Sequence, residues 1–325
     1  MAEHGRRPPA RTGTGVRRRA RAARAVDADE LAETVEALAV LLDAGVSPVS
    51  AWAYVGEESG HLQLRRAAAD IAGGIVAGDA LAAAAARAAD DGLRVLAAAW
   101  TVAEEAGAAL APALRGVAEA LRDRAETARD IDASLSGPRS TARLTGWMPV
   151  VGLLMAVGMG IDVVGTLFGS AVGWTLVVGG ASLMVAGRFW TRRMVSRAIA
   201  RGAGAVAGTD HELMAIALAG GGSVADARAL VDRALVRTGL RTSDPASLER
   251  VLRISERAGA PAVELLLASA RQERRSARAS GRAAASALAV RLLLPLGVCV
   301  LPAFLLLGVA PVVLGLLSST VGGLG

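Results

Sequence analysis

Lysine is absent from this sequence of 325 residues, and cysteine, histidine and aromatic side chains are scarce: one Cys, three His and 3% aromatics. Without lysine the chain cannot form the phosphate-cradling loop G-x-x-x-x-G-K-[ST], so any ATP hydrolysis linked to it must come from a partner. The single thiol, Cys299, excludes a disulfide framework and a multi-thiolate metal site. His4, His61 and His211 lie far apart, lack ligand spacing and read as surface histidines. No stretch alternates with a period of two in β-branched residues, which argues against a sheet. Paired carboxylates such as Glu104 with Glu105, or Asp90 with Asp91, have the chemistry of acid–base groups, but they sit at predicted helix ends among alanines and read as a solvated face. No metal, no cofactor and no catalytic centre are expected, and the chain reads as a non-enzyme.

What the chain has in excess is apolar residues, 53% of the total, and arginine, which supplies all 36 of its basic residues and a net charge of +6. Residues 292–317 carry no charge, long enough to cross a hydrocarbon core of about 30 Å. Pro295, Pro302 and Pro311 interrupt this run as expected span kinks. Arg271, Arg274, Arg275, Arg278, Arg282 and Arg291 precede it, and the tail beyond it has none. Basic residues stay on the cytoplasmic side of a span. A second apolar region, 144–161 and 174–187, is flanked outside by Arg143 and by Arg188, Arg192 and Arg193, while its connection holds no arginine. Trp147, Trp174 and Trp190 take interfacial positions, so the region reads as a hairpin with an extracytoplasmic turn. Topology thus accounts for the positive charge, and no nucleic-acid partner is expected.

The expected fold class is an all-α integral membrane protein with two cytoplasmic helical-bundle domains and three transmembrane helices. Its parts are a disordered basic arm drawn to membrane lipids (1–26), a first cytoplasmic helical domain (27–143), the hairpin (144–190), a second, shorter domain (191–290), a C-terminal transmembrane helix (291–317) and an extracytoplasmic tail (318–325). The N-terminus lies inside and the C-terminus outside a cell membrane crossed several times. The first domain reads as about six helices, beginning near Leu31 and punctuated by Gly78 and Gly92.

The two cytoplasmic stretches repeat each other. Asp43-Ala-Gly-Val-Ser-Pro-Val-Ser-Ala aligns with Ala219-Gly-Gly-Gly-Ser-Val-Ala-Asp-Ala, matching Gly45 to Gly221 and Ser47 to Ser223 at an offset of 176. Ala103-Glu-Glu-Ala-Gly-Ala aligns with Ser255-Glu-Arg-Ala-Gly-Ala, matching Glu104 to Glu256 and Gly107 to Gly259 at an offset of 152. Ser47 with Pro48, and Ser223 with Asp226, are helix-start signals. The glycines read as left-handed helix ends. The second copy is shorter by 24 residues, about one helix and its loop. A duplicated helical domain hung from spans points to a scaffold.

At these residues the chain resembles the F-type platform proteins of type II secretion and type IV pili, and within them the tight-adherence (Flp) branch. Ala103-Glu-Glu-Ala-Gly-Ala-Ala-Leu loosely matches the family's G-E-x-S/T-G-x-L, with Ala103 and Ser255 where its first Gly would stand. The part running through Asp162-Val-Val-Gly-Thr-Leu-Phe to Arg192-Arg-Met-Val is similar to TadB-like proteins, and Leu293-Leu-Pro-Leu-Gly-Val-Cys-Val-Leu-Pro-Ala-Phe to TadC-like ones. The chain looks like both merged, without the N-terminal spans that separate members carry. The resemblance implies a platform with no chemistry of its own, contacting a hexameric secretion ATPase, pilin or pseudopilin subunits and other platform subunits. Glu104, Gly107, Glu256 and Gly259 are then candidate partner-contact or helix-junction residues. The competing reading, a small-molecule transporter, needs ionisable residues inside a span, and none is present.

Overall fold

A computed structural model describes residues 13–134, 147, 151, 154, 158, 165, 171–202, 207–241, 245–291, 294, 296–310 and 313. Among these every regular element is helical and none is a strand. The first half forms α1 (Gly13–Asp43), α2 (Pro48–Glu58), α3 (Leu62–Ala72), α4 (Ala77–Ala88), α5 (Asp91–Ala106) and α6 (Leu110–Ser134). Then come α7 (Ala171–Gly202), α8 (Thr209–Ala219), α9 (Val224–Thr238), α10 (Pro245–Ala258) and α11 (Ala262–Arg291). The C-terminal region holds two π-helical turns, Leu296–Val300 and Leu305–Val309, on either side of the short α12 (Leu301–Phe304).

The chain divides into two units, Met1–Arg129 with Gly204–Ala279, and Asp130–Ala203 with Ser280–Gly325. The first unit draws on both cytoplasmic stretches. Its core joins residues of α1–α6 to Leu213, Met214, Ala215, Leu230, Val231, Ala234, Leu252 and Leu266. This differs from the expected pair of separate domains, 27–143 and 191–290, and the reason lies in α5. Gly92, Leu93 and all of residues 95–103 are buried, and a helix apolar all round must be covered on every side. Its own copy covers one side through α4, where Gly78 abuts Thr101. Helices α8 and α9 of the second copy also pack on it, and at its start Gly92 meets Leu31 of α1 and Leu121 of α6. At the centre Trp52 and Trp100 meet with ring centroids 5.5 Å apart at 56°, a tilted arrangement that aromatic quadrupoles favour.

Short polar signals set the helix ends. Ser47 Oγ accepts the Ser50 N–H at the start of α2, His61 Nδ1 accepts the Leu64 N–H before α3, and Asp90 Oδ1 accepts the Gly92 N–H at 2.6 Å before α5. Helix α1 lies antiparallel to α6, tied by Arg129–Asp29 (2.9 Å), Arg122–Glu36 (3.3 Å) and Arg115–Asp43 (2.6 Å). Helix α1 begins at Gly13, so residues 13–26 are helical where a disordered arm was expected. Alanine and arginine, both strong helix formers, fill that segment. Residues 1–12 lie outside the described part.

In the second unit, 171–191 is the only helix among the described residues long and apolar enough to cross a membrane. It contains the expected second arm of the hairpin, and its Trp174, Val178, Val185, Phe189 and Trp190 are exposed. It packs on the C-terminal region, where Gly180 lies against Leu307, the small-residue approach that helices in lipid use. Most of the first hairpin arm, 144–161, and part of 292–317 lie outside the described residues. So do Pro295 and Pro311, while Pro302 sits in α12 between the two π turns. Proline has no N–H and crowds the carbonyl four residues back, and a π turn beside it relieves that crowding.

Candidate partner-contact turns and a buried ion cluster

The repeated turns have matching backbone geometry. Gly107 ends α5 at φ +70 and Gly259 ends α10 at φ +64, while Gly45 and Gly221 sit at +86 and +87. At Gly107 the Ala108 N–H donates to the Ala103 carbonyl at 2.9 Å and the Gly107 N–H to Glu104 O at 3.3 Å. That pair of bonds is the left-handed helix ending that glycine suits best. Ala260 N–H donates to Ser255 O at 3.2 Å in the equivalent place, and Ser255 Oγ donates to Ala260 O at 2.7 Å. At the other repeated signal Ser223 Oγ accepts the Asp226 N–H at 3.2 Å and donates to Asp226 Oδ2 at 2.6 Å.

Glu104 and Glu256 are exposed in the last turns of two different helices, α5 and α10, and no ion pair engages either among the described residues. The neighbour of Glu104 behaves differently. Glu105 lies 3.5 Å from Arg233 and 3.8 Å from Arg237 on α9, and Arg237 also pairs with Asp79 on α4. The turn between α8 and α9 rests on the end of α5, where a Cβ at Gly220 would collide with the Ala106 carbonyl. The structure thus brings the Gly107 turn of the first copy together with the Gly221 turn of the second.

A buried ion cluster was not foreseen. Arg274 on α11 is 6% exposed and reaches Glu212 at 3.0 Å, Asp123 at 3.5 Å and the more exposed Glu119 at 3.9 Å. Glu212, at the start of α8, is 4% exposed. Burial pushes its carboxyl above the ordinary carboxylate range; Arg274 opposes that shift and Glu119 adds to it. Gly116 makes room for it, since a Cβ there would strike Glu212 Oε1. Arg278 pairs with Asp123 and lies 3.5 Å from Glu126. Helices α6 and α11 therefore run side by side in one direction, acids on one facing arginines on the other. Glu126 and Arg278 occupy equivalent positions of the repeat, at the same offset of 152 as Gly107 and Gly259.

His211 also belongs to this region and corrects the expectation of a surface histidine: it is 1% exposed, with Nδ1 3.5 Å from Glu273 and Nε2 3.4 Å from Ser247. Helix α8 has buried neighbours on all sides, so even its polar first turn is enclosed. His61 is half-buried as a helix cap, and His4 lies outside the described residues. The repeat also needs a correction. The second copy lacks counterparts of both α3 and α4, two helices instead of one, because α9 has 15 residues where α2 has 11. Among the described residues no cluster of His, Cys, Asp and Glu could hold a metal ion.

Among the described residues the core is all-helical, its repeated turns are exposed, and one helix, 171–191, is long and apolar enough to cross a membrane. Residues 34–158 match the family model of the Type II secretion system (T2SS), protein F. No curated protein and no solved structure matches the chain.

Proposed function

We propose that this chain is the platform of a Flp-type pilus or type II secretion machine, transmitting the motion of a cytoplasmic hexameric ATPase to pilin or pseudopilin subunits at the membrane. The observation that carries the reading is the T2SS protein F domain at 34–158, joined to a second copy of its turns at Gly221 and Gly259. One chain then stands in for a TadB-like and a TadC-like partner together. It crosses the membrane three times, with the 162–173 turn and the C-terminal tail outside, as the arginine distribution favours. It has no enzymatic activity of its own. The exposed Glu104 and Glu256, at the ends of α5 and α10, are offered to the ATPase, because a carboxylate fixed beside a rigid turn is a feature a cycling motor can push against.

Two measurements test this. Co-purification of the cognate ATPase with a Glu104→Arg, Glu256→Arg double variant should fall while helicity and membrane insertion stay as in the wild type. Undiminished recovery of the ATPase would assign both residues to the fold alone. Cysteine labelling of intact cells, in a Cys299→Ser background, should reach Ser170→Cys and Ser319→Cys, and labelling of Ser223→Cys would overturn the topology.

A further inference from the structure

The repeat contains a contact whose counterpart the chain leaves unmade. Helix α9 packs on α5, with Arg233 and Arg237 against Glu105 at 3.5 and 3.8 Å. Helix α9 is the repeat equivalent of α2 (offset 176), and α5 of α10 (offset 152). The counterpart contact would place α2 on α10. Within one chain it is absent: Tyr54, Glu57 and Glu58 of α2 are exposed, as are Arg250, Arg253, Ile254 and Arg257 of α10. No ion pair joins the two groups among the described residues.

We propose that the exposed face of α10 docks on the exposed face of α2 in a second copy of this chain. Three observations favour that occupant. First, the charges are complementary with the sign inverted. Arg233 is replaced at its equivalent position by Glu57, and Glu105 by Arg257, so the ion pair of the internal contact reappears with its ends exchanged. Second, α10 exposes positions that are buried in its equivalent. Helix α10 buries only Leu252 and Ser255, which correspond to Trp100 and Ala103 on the side of α5 facing its own copy. The α5 positions equivalent to Arg250, Arg253 and Ile254 are Ala98, Thr101 and Val102, all buried. Third, each face carries an apolar anchor: Tyr54, the chain's one tyrosine, is 60% exposed, and Ile254 is 51% exposed. Their equivalents, Leu230 and Val102, are buried in the internal core.

Since each chain owns one face of each kind, the contact joins unlike faces, and the rotation between copies decides whether it closes into a ring of two or more or propagates. The contact requires neither an ATPase nor a pilin and is independent of the proposed function.

The test uses two differently tagged full-length copies, co-expressed and solubilised in mild detergent. Glu57→Arg with Glu58→Arg should lower recovery of like copies by roughly tenfold, because like charges then meet across the contact. Arg253→Glu with Arg257→Glu should do the same. Mixing the two variants should restore recovery, since each then offers a face opposite in charge to the other's. Independently, Tyr54→Cys in one copy and Ile254→Cys in the other, both with Cys299→Ser, should cross-link between tags. Recovery unaffected by either reversal, a mixture as weak as its parents, or a cross-link that never joins the two tags would overturn the proposal.

Discussion

Removing the cation at the centre of the buried cluster gives the sharpest check on how the two copies are held together. Arg274→Met keeps most of the side chain's volume and takes away its charge. Arg274 lies 3.0 Å from Glu212 and 3.5 Å from Asp123, and all three are largely enclosed. At an effective dielectric of about 20, each contact is worth roughly 5 kcal/mol of Coulomb attraction. Desolvation of three ionised groups offsets much of that, so the cluster as a whole contributes little net stability. Breaking it is another matter. With Arg274 gone, Glu212 remains buried with no cation among its described contacts, and the expected loss is about 3–5 kcal/mol at neutral pH.

The pH dependence carries a sign of its own. Burial already raises the Glu212 carboxyl, and Arg274 is the largest influence holding it down. In the variant it should rise further. A carboxyl raised in the folded state binds its proton there before the unfolded chain does. Its stability contribution is therefore lost as pH climbs from the ordinary carboxylate value through the raised one, and returns on acidification. The gap between variant and wild type should accordingly narrow between about pH 7 and about pH 5. Adding Glu212→Gln to Arg274→Met should recover much of the loss at pH 7, because no buried charge is then stranded at that position. The assay is unfolding of the full-length chain in detergent, followed by circular dichroism at both pH values. A single variant within about 0.5 kcal/mol of wild type at neutral pH, or a gap that does not narrow in acid, would refute the reasoning.

Two further substitutions probe the turns. Gly107→Ala and Gly259→Ala meet open space, so the left-handed backbone alone should cost each about 1 kcal/mol, while Asn at the same sites should cost less. Thermal unfolding separates the two. Gly220→Ala should cost more, about 1–3 kcal/mol, because its Cβ would run into the Ala106 carbonyl and push the α8–α9 turn off the end of α5. Faster amide exchange confined to those two turns is the expected signature.

What could be read from the sequence was local. Gly45, Gly107, Gly221 and Gly259 announce left-handed turns, because few other residues tolerate that backbone, and all four have positive φ. Ser47 and Ser223 mark helix starts by the same kind of short-range chemistry. The buried cluster was hidden for two reasons. Glu212 and Arg274 are 62 residues apart, with no spacing rule to join them. The arginines of α11 also read as the basic flank of a span, which accounts for their charge without a buried partner. The opening Thr-Asp-His-Glu of α8 looks like an exposed first turn in isolation, and only the neighbouring helices bury it.

The two copies also show what a repeat preserves and what it lets go. Turn geometry resides in the backbone and survives in both halves, so Gly107 and Gly259 agree to within a few degrees. Helix faces reside in side chains and follow their neighbours. Ala97, Ala98, Thr101 and Val102 of α5 are buried, whereas Glu249, Arg250, Arg253 and Ile254 stand at the equivalent positions of α10 and meet solvent. Ile254 stands exposed among the arginines of α10, and Tyr54 beside two glutamates of α2. Brought together from two copies as proposed, the excess of arginine on one face and of glutamate on the other would attract, and both apolar side chains would leave water.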